Sequence, residues 1–125
     1  MINYLDVEDL MEIASVVLGD VPQVRDPGLL SSAAFRPGTV AFGQEVYPDL
    51  WGKAAALLHS ICMNHALLDG NKRLAWAAAR VFLALNDEVI RDVDVDQAEA
   101  LVMSVASGVL TEVADVAREL RKLYV

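Results

Sequence analysis

Apolar residues recur along this chain at intervals of three and four, the period of helices with one buried face. From a cap at Asp6, Leu10, Ile13, Ala14, Val17 and Leu18 share one face, and Gly19 ends the run. Asp26-Pro27-Gly28 has the form of an N-cap and first turn, predicting a short helix that stops before Pro37. A third helix opens near Pro48-Asp49 and carries Leu50, Ala54, Leu57, Leu58, Ile61 and Cys62. A fourth begins just after Gly70, with Leu74, Ala77, Ala78, Val81 and Leu85 before Asn86. Asp94 or Asp96 opens a fifth, with Ala98, Leu101, Val102 and Val105, closed by Gly108. Thr111 opens a sixth, with Val113, Val116, Ala117 and Leu120 inward. The fourth is apolar nearly all round, which predicts a central position. The fold class is all-α, a compact domain of about six helices spanning 1–125.

The four prolines all lie between residues 22 and 48, so irregular backbone is concentrated there and the following 77 residues are free to be helical. Alternation is confined to Thr39–Phe42, a candidate for one small hairpin. Fifteen of the eighteen alanines lie outside the proline window and favour helix there. Hydrophobic residues make up 55 % of the chain and charged ones 22 %, which excludes disorder. No apolar stretch is long enough to span a membrane. No basic n-region precedes an apolar segment at the start, and a single cysteine, Cys62, permits neither an internal disulfide nor a cysteine-based metal site. Cytoplasmic residence is the expectation. A net charge of −8 argues against wrapping nucleic acid. That charge is uneven: residues 1–24 hold five acids and no base, while Lys72 and Arg73 stand together at one helix start.

That helix start is where candidate chemistry lies, in His65-Ala66-Leu67-Leu68-Asp69-Gly70-Asn71-Lys72-Arg73. Gly70 permits a backbone conformation in which amides converge. The helix N-terminus adds unpaired N–H groups and a positive dipole end, and Lys72 and Arg73 add two cations. Together they predict an anion site, with phosphate the fitting guest. His65 could take a proton from an attacking hydroxyl, Asp69 could hold Mg²⁺, and Asn71 could bond a phosphate or the metal's water shell. Taken alone, Asp69-Gly70-Asn71 is also an ordinary turn, His65 a packing or capping residue, and Lys72 and Arg73 surface charges. His59 stands six residues before His65, off its face, which disfavours zinc. The spacing lacks the earlier glycine and the Ser/Thr of a Walker A loop. Trp51 and Trp76 read as core or groove-lining, and Cys62 as inert. Arg80 shares a face with Arg73 and Trp76; it could extend the cationic site, but a buried salt bridge is the preferred reading.

The segment resembles the motif of the Fic/Doc family, His-x-Phe-x-(Asp/Glu)-(Gly/Ala)-Asn-(Gly/Lys)-Arg, standing here as His65, Leu67, Asp69, Gly70, Asn71, Lys72 and Arg73. Arg25-Asp26-Pro27-Gly28-Leu29-Leu30, Arg36-Pro37, Tyr47-Pro48-Asp49-Leu50 and the ending Leu120-Arg121-Lys122-Leu123-Tyr124 extend the resemblance to the Doc (death-on-curing) toxin branch. The resemblance implies a compact helical fold, His65 as general base, Asp69 as Mg²⁺ ligand, and Gly70, Asn71, Lys72 and Arg73 as the nucleotide-phosphate cradle. Pro37–Val46 falls where the family has a flap that aligns a target chain. Adenylylating members of the family have glycine at the position of Lys72 and a second arginine at that of Trp76. The Doc branch departs from them as this chain does, and binds its nucleotide reversed. The implied reaction is therefore transfer of the γ-phosphoryl of ATP to a protein hydroxyl, with elongation factor Tu the expected target. The implied partner is an antitoxin whose partly disordered tail folds into a groove. Adenylylation, and an inactive antitoxin-binding module, are the competing readings. Leu67 for the usual Phe, and Leu74 for the frequent Thr, depart from the branch.

Overall fold

A computed structural model describes residues 1–88 and 90–124. Six α-helices follow in order: α1 Val7–Leu18, α2 Pro27–Phe35, α3 Leu50–Asn64, α4 Asn71–Leu85, α5 Val95–Ala106 and α6 Val113–Tyr124. A single 3₁₀ turn, Arg36–Gly38, follows α2, and two short strands, β1 Val40–Ala41 and β2 Gln44–Glu45, precede α3. The all-α reading holds.

Aspartates start four of the helices because a carboxylate satisfies amides that the first turn leaves unpaired. Asp6 accepts from Asp9 N at 2.8 Å while Asp9 returns the bond to Asp6 N at 2.9 Å, a reciprocal box. Asp26, Asp49 and Asp94 accept from the amides of Leu29, Gly52 and Gln97. The alternative between Asp94 and Asp96 is thereby decided for Asp94. The sixth helix starts later than its Thr111 signal: the Val116 amide bonds the Glu112 carbonyl, and helix begins at Val113.

The central element is α3, not α4. Between Lys53 and Cys62 only His59 escapes full burial, and α3 packs on α2, α4, α5, α6 and the 3₁₀ turn. On α4 the buried side is Leu74, Ala75, Ala78, Ala79, Phe82 and Leu83, whereas Val81 and Leu85 of the anticipated face are exposed. Hydropathy misplaced the centre for two reasons. Alanines raise the apolar count of α4 without demanding burial, and α3 carries a lysine that helical spacing alone gives no reason to bury. That lysine, Lys53, is 1 % exposed, with its ammonium 2.9 Å from Glu45 and 5.6 Å from the centre of the Tyr4 ring. Burial pulls its pKa down, but Glu45 and Tyr4 more than offset this and leave it above the usual lysine value.

The Thr39–Phe42 signal is half of a two-residue hairpin, with Val40 opposite Glu45 and Ala41 opposite Gln44. Phe42 and Gly43 turn it, both at positive φ (53° and 77°), as a twist-matched tight turn requires. Within the Pro37–Val46 segment, residues 40–45 are thus a regular hairpin with exposed strands, tied to α3 by Lys53 and Glu45, while Pro37 is buried in the 3₁₀ turn that packs on α3.

Candidate active site

The site is assembled where α3 ends and α4 begins. His65 terminates α3 in the left-handed region, φ 51° and ψ 46°, a conformation costing a non-glycine residue roughly 1–2 kcal/mol. It is exposed. The chain then dives inward: Ala66 and Leu67 are in the core, and Leu67 pairs antiparallel with Val24. The amides of Arg25 and Asp26 both donate to the Ala66 carbonyl, and Leu68 N donates to Gln23 O. Leu67, smaller than the family's phenylalanine, is still only 2 % exposed and is held by its main chain.

Asn71 completes that hold. Its side-chain oxygen accepts from the Leu67 amide at 3.0 Å, and its amide nitrogen donates to the Leu67 carbonyl at 2.9 Å. Both ends of this side chain are therefore occupied in shaping the loop, and what Asn71 leaves to a ligand is its backbone N–H. Gly70 is required twice over. Its φ is 87°, and an added Cβ would lie 2.4 Å from Cδ2 of Leu18 on α1. No side chain caps α4, so the amides of Asn71, Lys72 and Arg73 face outward without a protein partner among the described residues. Lys72 and Arg73 are exposed beside them. Asp69 has a side chain 95 % exposed and lies 3.9 Å from Arg73, an ion pair worth about 0–1 kcal/mol that leaves both groups free to turn toward a ligand.

Along α4 the site continues as a cavity of about 560 Å³, lined by Lys72, Arg73, Trp76 and Arg80, by one carboxylate, Glu99 of α5, and by apolar residues of α1 and α5. Trp76 stacks on Tyr124, with ring centres 6.3 Å apart and planes 10° from parallel. Arg80 does not sit in a buried ion pair. It lies half-buried over the Trp76 ring at 6.0 Å and donates to the Arg91 carbonyl at 3.5 Å, and among the described residues no carboxylate pairs with it. Cys62 is buried and its thiol is pushed up to about 11, mainly by desolvation, so it stays protonated near neutrality.

His59 lies in a different place. Its Nδ1 is 2.7 Å from Arg36, which also donates to Ser60 Oγ and Tyr47 Oη, and burial first, then Arg36, lowers its pKa. This cluster carried no sequence signal, since its members are 11 to 24 residues apart from Arg36. Among the described residues no group of three or more His, Cys, Asp or Glu could by itself hold a metal ion. A cation at Asp69 would take its remaining ligands from a bound phosphate and water, as Mg²⁺ does.

An open helix start, entered through a glycine and flanked by histidine, aspartate and two cations, on a bundle of this order, defines the class. The chain belongs to the Fic/DOC family, whose profile matches residues 4–83. Within it, the chain is similar to Toxin Doc of Mycolicibacterium smegmatis (strain ATCC 700084 / mc(2)155). The two are 51 % identical over 108 residues, which is 86 % of this chain and 83 % of the relative.

Proposed function

We propose that this chain is a Doc-type toxin that transfers the γ-phosphoryl group of ATP to a hydroxyl of a protein, with elongation factor Tu the expected target and arrested translation the outcome. The observation that carries the reading is the uncapped start of α4, where three amides and two exposed cations follow Asp69 closely and begin six residues after His65. Such a cradle meets the charge of a polyphosphate, and positioning with charge stabilisation is most of what phosphoryl transfer needs from a protein.

In this reading an imidazole nitrogen of His65 accepts the proton of the target hydroxyl as its oxygen bonds to the γ-phosphorus. The bond from that phosphorus to the oxygen bridging to the β-phosphate breaks, and ADP leaves. Amides of Asn71, Lys72 and Arg73, with the two side-chain cations, hold the phosphates. Gly70 provides the turn that keeps those amides open. Asp69 would hold Mg²⁺, which neutralises charge on the phosphate oxygens, and its exposure and loose pairing with Arg73 suit that task. Phosphorylation is favoured over adenylylation by Lys72, which occupies the helix start, and by Trp76, whose ring is committed to Tyr124 and cannot hold a phosphate's charge. An antitoxin with a partly disordered tail is the proposed partner, and a cytoplasmic location is proposed with it.

ATP labelled separately at the α and γ positions, incubated with the protein, Mg²⁺ and cell extract, tests the reaction. Label from the γ position passes to protein, and His65→Ala lowers the rate by about 10²–10⁴-fold, the usual contribution of a positioned base. Transfer of α label overturns the reading in favour of adenylylation. No transfer of either label supports an inactive binding module.

A further inference from the structure

We infer that Arg25 is a positioning residue for His65, holding it in the left-handed conformation from which it serves the site. The inference rests on His65 being the base of the proposed reaction. A helix end leaves its last carbonyls without amide partners and concentrates negative dipole there. At the end of α3 one residue answers two of these carbonyls, Asn64 and His65, and also that of Ala66 just past the helix. Arg25 Nε donates to the His65 carbonyl at 2.8 Å, Arg25 Nη2 donates to the Asn64 carbonyl at 3.2 Å, and the Arg25 amide donates to the Ala66 carbonyl at 2.7 Å. Arginine suits this because its planar fork presents two donors at fixed spacing, which a lysine ammonium cannot do.

The need for such a grip follows from the backbone. His65 sits at φ 51°, where a residue with a Cβ stays only if its surroundings hold it. On its far side Asn71 fixes Leu67, and on its near side the Asn64 side chain donates to the Leu29 carbonyl of α2. The His65 carbonyl itself has one side-chain donor among the described residues, Arg25. Arg25 is exposed and pairs with no carboxylate there, so its charge is spent on this helix end. Among the described residues none of its hydrogen bonds reaches residues 70–73, so its removal should disturb the base more than nucleotide binding.

The test compares wild type with Arg25→Ala and Arg25→Lys. In γ-phosphoryl transfer, Arg25→Ala lowers kcat by about 10- to 100-fold, the scale of a displaced catalytic group, and leaves KM for ATP within about twofold. Arg25→Lys, able to reach one carbonyl, recovers part of the loss. NMR supplies a readout that needs no catalysis, because the chain has only two histidines. In Arg25→Ala the His65 ring resonances shift and the amides of 65–68 exchange faster, while the His59 ring signals stay in place. If Arg25→Ala keeps the wild-type kcat and unchanged His65 signals, the inference is overturned. If His65 loosens but wild type transfers no phosphate, the positioning role stands and the proposed reaction falls.

Discussion

Gly70 and His65 show how much one residue's backbone decides at this site. Both occupy positive φ within one loop, and only one of them is a glycine. A Cβ at Gly70 meets Leu18 and a strained φ together, so Gly70→Ala is expected to cost on the order of 2–3 kcal/mol, read as a drop in the urea midpoint. Adding Leu18→Ala relieves the collision but not the φ, and restores only part of that loss once its own cavity is measured separately. Asn71 was legible as part of the motif, but its task was not. Its bonds to Leu67 depend on a loop that folds back on itself. His59 was legible only as off the face of His65. Burial and Arg36 lower its pKa below 6.5, so between the two values the unfolded chain binds more protons than the folded one. Stability from this group is whole above about pH 6.5 and declines as pH falls toward the folded value. His59→Gln should flatten that acid limb in pH-dependent thermal melts, and an unchanged limb would assign it to other groups.

At the scale of elements, the six helices were readable because their caps and spacings are local properties. The Asp6, Asp26 and Asp49 caps and Gly19 stand where the residues put them. Which helix is central was not readable, because it depends on where neighbours fall. Lys53 made α3 look amphipathic, although the charge is buried and answered by a strand preceding the helix. That contact couples the hairpin to the core. Glu45→Gln removes the counter-charge from a buried ammonium, with an expected loss of about 1–3 kcal/mol. Hydrogen exchange at residues 40–46 should accelerate while α4 amides remain protected. Replacing both partners, Lys53→Met with Glu45→Gln, is expected to recover stability without recovering the slow hairpin exchange. Equal exchange in all three proteins would show that the hairpin is held by its own turn.

Over the whole molecule, acidity and function fit together once charge is placed rather than summed. A chain of net charge −8 holds Lys72, Arg73 and Arg80 along one helix that also lines a cavity. No helix is long and apolar enough to cross a membrane among the described residues. The cationic helix start was visible in the sequence because its residues are contiguous. The Trp51–Tyr124–Trp76 aromatic cluster was not, because it joins three helices. In the proposed reaction it is the γ-phosphoryl group of ATP that passes to a protein. Purified elongation factor Tu, incubated with the chain, ATP and Mg²⁺, can be weighed intact by mass spectrometry. A gain of one phosphoryl group, absent with His65→Ala, is the result predicted here. A gain of one AMP, or an unchanged mass, would contradict it.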